Sequence, residues 1–156
     1  MSHHRSPPPL FTTRPAQPED CEWLFALKCA TMQSYVKEVF GWDEADQRER
    51  FEEAFDPAAK RIIRIDGNDV GMVEVRDRDE HRYLAQLEIL PAFQNRGLGA
   101  AVVADVIAEA TRDRRHVELQ VLRPNPARRL YERLGFVVFG ETSTHFLMRR
   151  DFNPIP

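Results

Sequence analysis

The stretch from Tyr83 to Leu122 constrains the fold more than any other part of the chain. Tyr83 to Leu90 reads as a strand halted by Pro91, and Phe93-Gln94-Asn95-Arg96-Gly97-Leu98-Gly99 turns the chain directly into a helix. In that helix, Ala100 to Thr111, the residues Val102, Val103, Val106, Ile107 and Ala110 recur at helical spacing, and His116 to Leu122 follows as the next strand. A glycine turn between strand and helix aims successive backbone N–H groups and the positive end of the helix at one point, which suits an anion. Gly97 and Gly99 let the backbone approach closely, and Arg96 adds a positive charge. A plain strand-to-helix turn accounts equally well for an isolated Gly-x-Gly. Two nucleotide patterns are disfavoured. A Walker loop needs Lys-Ser/Thr after its last glycine, where this chain has Ala100-Ala101. A dinucleotide fingerprint needs a third glycine where Val102 stands, and Glu118 lies mid-strand rather than at the strand end.

The rest of the chain supplies the partners of this unit. Thr12 to Pro15 can open an edge strand. Gln17-Pro18-Glu19-Asp20 starts a helix that carries Trp23, Leu24, Leu27, Ala30 and Met32 and reaches Val39 or Phe40. Gly41 interrupts it, Asp43 offers an N-cap, and Phe51 and Phe55 give a second helix an apolar stripe before Pro57. Arg61 to Ile65 and Val70 to Val75 flank the turn Asp66-Gly67-Asn68-Asp69 as a hairpin. Asn125 caps a short helix with Pro126 at its first position and Gly135 at its end, and two final strands follow around 136–141 and 145–149. The expected class is α/β: a mixed sheet with helices on both faces.

Length and composition narrow the partners. A chain of 156 residues, 42% hydrophobic and 30% charged, is expected to form one globular domain over residues 11–156 behind a flexible tail at 1–10. The tail has no apolar core behind its charges, so it does not read as a secretory signal, and its His3 and His4 are expected to be solvated. No apolar run approaches the roughly 18 residues of a membrane span, so no membrane partner is expected. A net charge of -3 gives no electrostatic reason for a nucleic-acid partner. Cys21 and Cys29 lie on one helix, roughly 12 Å apart along its axis, too far to pair. Two free thiols agree with a cytoplasmic location, and no metal site is expected.

Gln94, Gly97 and Gly99 after a strand ending near a proline, followed by Leu119-Gln120-Val121, Asn125, Ala127 and Leu130-Tyr131-Glu132-Arg133-Leu134-Gly135-Phe136, resemble the GNAT N-acetyltransferase superfamily. The resemblance covers residues 60–150 well and residues 12–56 only in outline. It implies a sheet with splayed central strands, acetyl-CoA as cosubstrate and direct transfer to an amine without a covalent acetyl-enzyme. It further implies that Leu87, Glu88 and Ile89 border the slot for the pantetheine arm, with the Ile89 backbone pairing to that arm. Gln94 and the main-chain N–H groups of Asn95, Arg96, Gly97, Leu98, Gly99 and Ala100 would take the pyrophosphate. Asn125 would contact the cofactor or serve only as a helix cap. Tyr131 would stand beside the sulfur as a donor of a proton or a hydrogen bond, its plain alternative being a core aromatic.

An alkyl ammonium with a pKa of about 10 must lose a proton before it attacks a thioester. Some members of the superfamily carry Glu where this chain has Gln120, so the resemblance supplies no base. Glu88 is the first candidate and Glu74 the second, each with a solvent-facing strand residue as its plain alternative. A base acting through water, or selection of neutral amine, would also suffice. For the acceptor, a small-molecule or a protein amine, the candidates are Tyr35, Trp42 and Glu44 near the opening helices, with Gln120 and His145 on the later strands. Two rivals stand beside catalysis: a non-catalytic acyl-CoA-binding or sensing module, and a nucleotide-binding domain that does not use CoA. A homodimer through the C-terminal strands is a further expectation.

Overall fold

The computed structural model describes residues 10–152. The tail expected at 1–10 therefore falls, apart from Leu10, outside the described residues. The strands are β1 (Thr12–Pro15), β2 (Lys60–Ile65), β3 (Asn68–Asp77), β4 (His81–Ile89), β5 (His116–Leu122), β6 (Val137–Glu141) and β7 (His145–Arg150). The helices are α1 (Cys21–Phe40), α2 (Glu44–Ala54), α3 (Leu98–Arg112) and α4 (Ala127–Arg133). They build a seven-stranded mixed sheet in the order β1-β2-β3-β4-β5-β7-β6, the expected class. Every neighbouring pair is antiparallel except β4 with β5, which the α3 crossover makes parallel. No helix among the described residues is long and apolar enough to cross a membrane.

Side-chain alternation along the strands sends two sets of residues to opposite faces. On one face Val102, Val103, Val106 and Ala110 of α3 pack with Ile63, Val73, Leu84, Leu119 and Met148 in the larger core. The other face is smaller: Leu24 and Leu27 of α1 close over Ile62 and Met72, with Phe51 of α2 and Phe55 just beyond its end at the border. Fully burying such a side chain stabilises by roughly 1.5–3 kcal/mol, so either stripe outweighs the modest helix propensities beneath it. α2 has little apolar surface of its own. It is tied to α1 by the Phe25–Phe51 ring pair at 5.4 Å and by Arg48, which bonds Glu22 at 2.6 Å.

The local signals act where the sequence places them. Asp43 caps α2 by accepting from the Asp46 N–H at 2.9 Å. Asn125 accepts from the Ala127 N–H at 2.9 Å, so it caps α4 although the regular helix begins one residue beyond Pro126. Ahead of α1, Asp20 accepts from the Gln17 N–H at 2.7 Å and from both terminal nitrogens of Arg14 at 2.9 Å. That pair, joined by Arg14 to Asp69 at 3.0 Å, pins the start of α1 to the first residues of β3.

Candidate active site

The central irregularity of the sheet lies between β4 and β5. Their register runs only from His81↔His116 to Leu84↔Leu119, and beyond it Ala85–Ile89 and Gln120–Leu122 are unpaired with each other. The cause is visible on the other side of β4. Glu74 faces Gln86 but Val75 faces Leu84, so Ala85 is an extra residue that bends β4 away from its parallel neighbour. The resulting slot is lined by Leu87 and Glu88 of β4, Gln120 and Val121 of β5, Asn125, Tyr131 and His145. It opens toward α3 into a cleft lined by Tyr35, Ile89, Gln94, Asn95, Gly97, Gly99 and Ala100.

The α3 end of the cleft is made of backbone. Asn95 (φ 61°) and Gly97 (φ 82°) adopt left-handed conformations that fold the loop under the helix. The first bond into the helix runs from the Ala101 N–H to the Gly97 carbonyl at 3.0 Å, which leaves the N–H groups of Leu98, Gly99 and Ala100 without intrahelical acceptors. A Cβ on Gly99 would meet Leu130 Cδ2 at 3.3 Å and Ile89 Cδ1 at 3.6 Å. A glycine is the residue that keeps helix, strand and cleft this close. The Leu98 side chain is buried in the core, and Arg96 is exposed with its guanidinium 5.7 Å from the centre of the Phe93 ring. Neither residue is part of the cleft lining. Gln94 acts as a strut, its Nε2 donating to the Ile89 carbonyl at 2.8 Å. Because the Leu90 N–H bonds to Val70 across β3, strand alternation turns the Ile89 backbone toward the slot. Of its two groups the carbonyl is already taken, so only the N–H is left to pair with an extended ligand.

Glu88 and Tyr131 line both the slot and the cleft. Glu88 is 5% exposed and has neither hydrogen bond nor ion pair among the described residues, contrary to the solvent-facing alternative. Its row across the strands is Ile62, Met72 and Glu88, so its neighbours are apolar. Burial pushes its carboxyl up to about 7, opposed by the nearby charges of Lys60 and Lys28. Glu74, one row further, is as buried but sits in the row Lys60, Glu74 and Gln86. It is held by Lys60 Nζ at 2.6 Å and Arg76 Nε at 2.8 Å. Both of its oxygens are therefore already engaged. Tyr131 is buried, stacks edge-on to Phe136 at 5.8 Å, and its phenol is pushed up to about 12 by burial.

The acceptor candidates divide. Tyr35 lines the cleft, while Gln120 and His145 line the slot. Burial lowers the pKa of His145, and its Nδ1 lies 2.7 Å from the Thr144 hydroxyl. Trp42 lines a larger cavity under α1 and α2 that adjoins the slot, and Glu44 sits on the exposed first turn of α2 outside all three linings. Sequence reasoning missed Lys28, Met32 and Val36 of α1, and Gln86 of β4. The α1 residues carry no motif; Gln86 was hidden because its facing depends on the extra residue at Ala85.

A family model described as "Acetyltransferase (GNAT) family" matches residues 23–136. The chain belongs to the GNAT acetyltransferase family. It is therefore an acyltransferase by family, and acetyl-CoA is the cosubstrate of that family. The GNAT fold is shared with the PaiA N-acetyltransferase of Thermoplasma acidophilum, solved in complex with coenzyme A. That likeness has a TM-score of 0.75 at 15% identity and covers 91% of this chain and 99% of that one. The ribosomal-protein-S18-alanine N-acetyltransferase of Escherichia coli superposes with a TM-score of 0.68 at 17% identity, covering 94% of this chain and 97% of that one. No curated protein sequence matches. The GNAT cosubstrate fits what this chain offers: free N–H groups at α3, a glycine where a Cβ would crowd the cleft, and an unpaired β4 edge beside them.

Proposed function

We propose that this GNAT protein transfers an acetyl group from acetyl-CoA directly to a primary amine in a ternary complex, with Glu88 as general base. The supporting observation is Glu88 itself, a buried carboxyl with no partner among the described residues, at the splayed strand, raised to about 7. A structural carboxylate at this depth would be paired, as Glu74 is. A base poised near neutrality is suited to take the proton from an ammonium at the slot. The N–H groups of Leu98, Gly99 and Ala100 would hold the pyrophosphate, and the Ile89 N–H would pair with the pantetheine arm. Bound there, acetyl-CoA supplies the activated thioester. Tyr131 would offer its phenolic hydrogen at the sulfur, and no step requires Cys21 or Cys29. The same reading makes the acceptor a small-molecule or protein amine met in the cytoplasm.

Thermal shift with acetyl-CoA, CoA, NAD and ATP, followed by thiol release across a panel of amines, tests this reading. A ligand at about 100 times its Kd adds roughly 2.7 kcal/mol of stability. Acetyl-CoA should give that shift with wild type and not with folded Gly97→Glu, which puts a carboxylate and a β-carbon where φ is 82°. Stabilisation without thiol release from any amine would favour a binding or sensing module. Stabilisation by another nucleotide alone would overturn the reading.

A dimer is the second part of this proposal. β6 is an edge strand whose Val137 and Phe139 are 64% and 53% exposed, which supports pairing of two copies along it. Val137→Lys with Phe139→Lys should then shift sedimentation from dimer to monomer. A wild-type monomer at micromolar concentration would refute it.

A further inference from the structure

The cavity under α1 and α2, about 910 Å³ in volume, meets the slot through three residues common to both linings: Lys28, Val36 and Gln86. A molecule lying in it would reach the splayed strand from the side opposite the α3 loop. Its charges are unbalanced. At its floor Glu74 is held on one oxygen by Lys60 at 2.6 Å and on the other by Arg76 at 2.8 Å, two cations on one carboxylate. Lys28 brings a third and has no carboxylate partner among the described residues, its Nζ resting 5.8 Å from the centre of the Phe51 ring. The acidic residues at the rim offset most of this but not all. Asp46 bonds Arg50 at 2.9 Å, and Asp43 keeps its charge while capping α2, so the lining sets four cations (Lys28, Arg50, Lys60, Arg76) against three carboxylates (Asp43, Asp46, Glu74). The indole N–H of Trp42 is buried without an acceptor among the described residues. One cation is left in excess, and Lys28 is the one without a carboxylate partner, in a space that the transfer reading would fill with an amine.

Resting on that transfer reading, we propose that the acceptor carries a carboxylate at its far end, received by Arg76 and Lys28, while its amine reaches Glu88. Arg76 is suited to this role because only its Nε is committed to Glu74, which leaves its terminal nitrogens to bond an anion. A diamine or a lysine-rich peptide would instead bring a second cation against Lys28, Lys60 and Arg76. The cavity selects against it.

Three straight-chain acceptors of equal length test the proposal: a terminal amine opposite a carboxylate, the corresponding carboxamide, and the corresponding diamine. With acetyl-CoA saturating, the carboxylate acceptor should exceed the carboxamide in kcat/KM by about tenfold or more, mainly through KM, with the diamine poorest. Arg76→Gln and Lys28→Gln should each bring the carboxylate-to-carboxamide ratio toward one. Arg76 is partly exposed, so its replacement should leave the fold intact, and a thermal melt checks that. Equal turnover of the three, or preference for the diamine, overturns the anion site and leaves transfer standing. If none turns over, the same compounds are compared at equilibrium by quenching of Trp23 and Trp42 fluorescence with CoA present. Tighter binding of the carboxylate, lost in Arg76→Gln, supports the site, and absence of any preference overturns it. Failure of acetyl-CoA to bind at all would instead bring down the transfer reading.

Discussion

At the α3 end of the slot a ligand would meet main-chain N–H groups and a left-handed turn at Gly97, whereas at the α2 end it would meet the side chains of Lys28, Lys60, Glu74, Arg76 and Gln86. The first end is fixed by backbone conformation, which few sequences other than a glycine turn before a helix can specify. The second is fixed by which side chains a bent strand turns inward, which many sequences could vary without disturbing the fold. The same division runs through the two buried glutamates. Glu74 and Glu88 are each 5% exposed on neighbouring strands, yet one falls in a row with Lys60 and the other in a row with Ile62 and Met72. Burial with a partner makes a structural ion pair; burial without one makes a group that is costly to ionise and therefore useful near neutral pH.

The largest effect expected is on catalysis at Glu88. General-base removal costs typically a hundredfold to ten-thousandfold, so Glu88→Gln should lower kcat/KM by roughly a thousandfold at pH 7 and above. In the wild type, kcat/KM should rise with pH as Glu88 ionises, with an inflection near its value of about 7. That inflection should vanish in Glu88→Gln, leaving only the rise that follows the acceptor amine. A pH profile unchanged by the substitution would remove Glu88 from the chemistry and leave water-mediated deprotonation in its place.

Stability should separate the two glutamates by sign. The Glu88 carboxyl is raised from 4.5 to about 7, so between those values the unfolded chain has lost its proton while the folded chain keeps it. Folding stability attributable to this group is complete below about pH 4.5, declines as pH rises through that window, and levels off above pH 7. At about 1.4 kcal/mol per pKa unit, the decline amounts to about 3 kcal/mol. Glu88→Gln should abolish this decline and leave the protein more stable than wild type at pH 8. Glu74→Gln should do the reverse, since it leaves Lys60 buried beside Arg76 without a counter-charge. Breaking a buried pair costs about 3 kcal/mol or more, roughly 6–12 °C in Tm for a domain of this size. Melts at pH 8 that move both variants in one direction would dissolve the distinction between paired and unpaired burial.

What was legible in the sequence follows the same line between backbone and side chain. The glycine loop, the α3 stripe, the caps at Asp43 and Asn125 and the order of strands are local signals, set by residues close together in the chain. Glu88 could be placed beside the slot by resemblance, but its burial could not be read, because Ala85 shifts the register by one and turns Gln86 and Glu88 toward α1. The Lys60–Glu74–Gln86 row was equally hidden, since it exists only when three strands are aligned. Glu44 illustrates the opposite error. Proximity in sequence to Trp42 suggested a shared pocket, but the turn into α2 sets Glu44 on an exposed surface.

The smallest effect is expected at Tyr131, and it sharpens what that residue does. A buried phenol raised to about 12 is a poor acid toward a thiolate whose conjugate thiol lies near 8.5. Moving the proton across that gap would be uphill by about 5 kcal/mol, whereas sharing it in a hydrogen bond to a developing negative charge is worth roughly 1.5–3 kcal/mol. Tyr131→Phe keeps the ring against Phe136 and removes only that bond. It should therefore reduce kcat by about tenfold, leave the KM for acetyl-CoA nearly unchanged and preserve the inflection assigned to Glu88. A basic limb in the wild-type profile that disappears in Tyr131→Phe would mean that the phenol gives up its proton outright, and the cleft would then have to lower its pKa once ligands fill it. A loss confined to stability, with kcat intact, would return Tyr131 to the core.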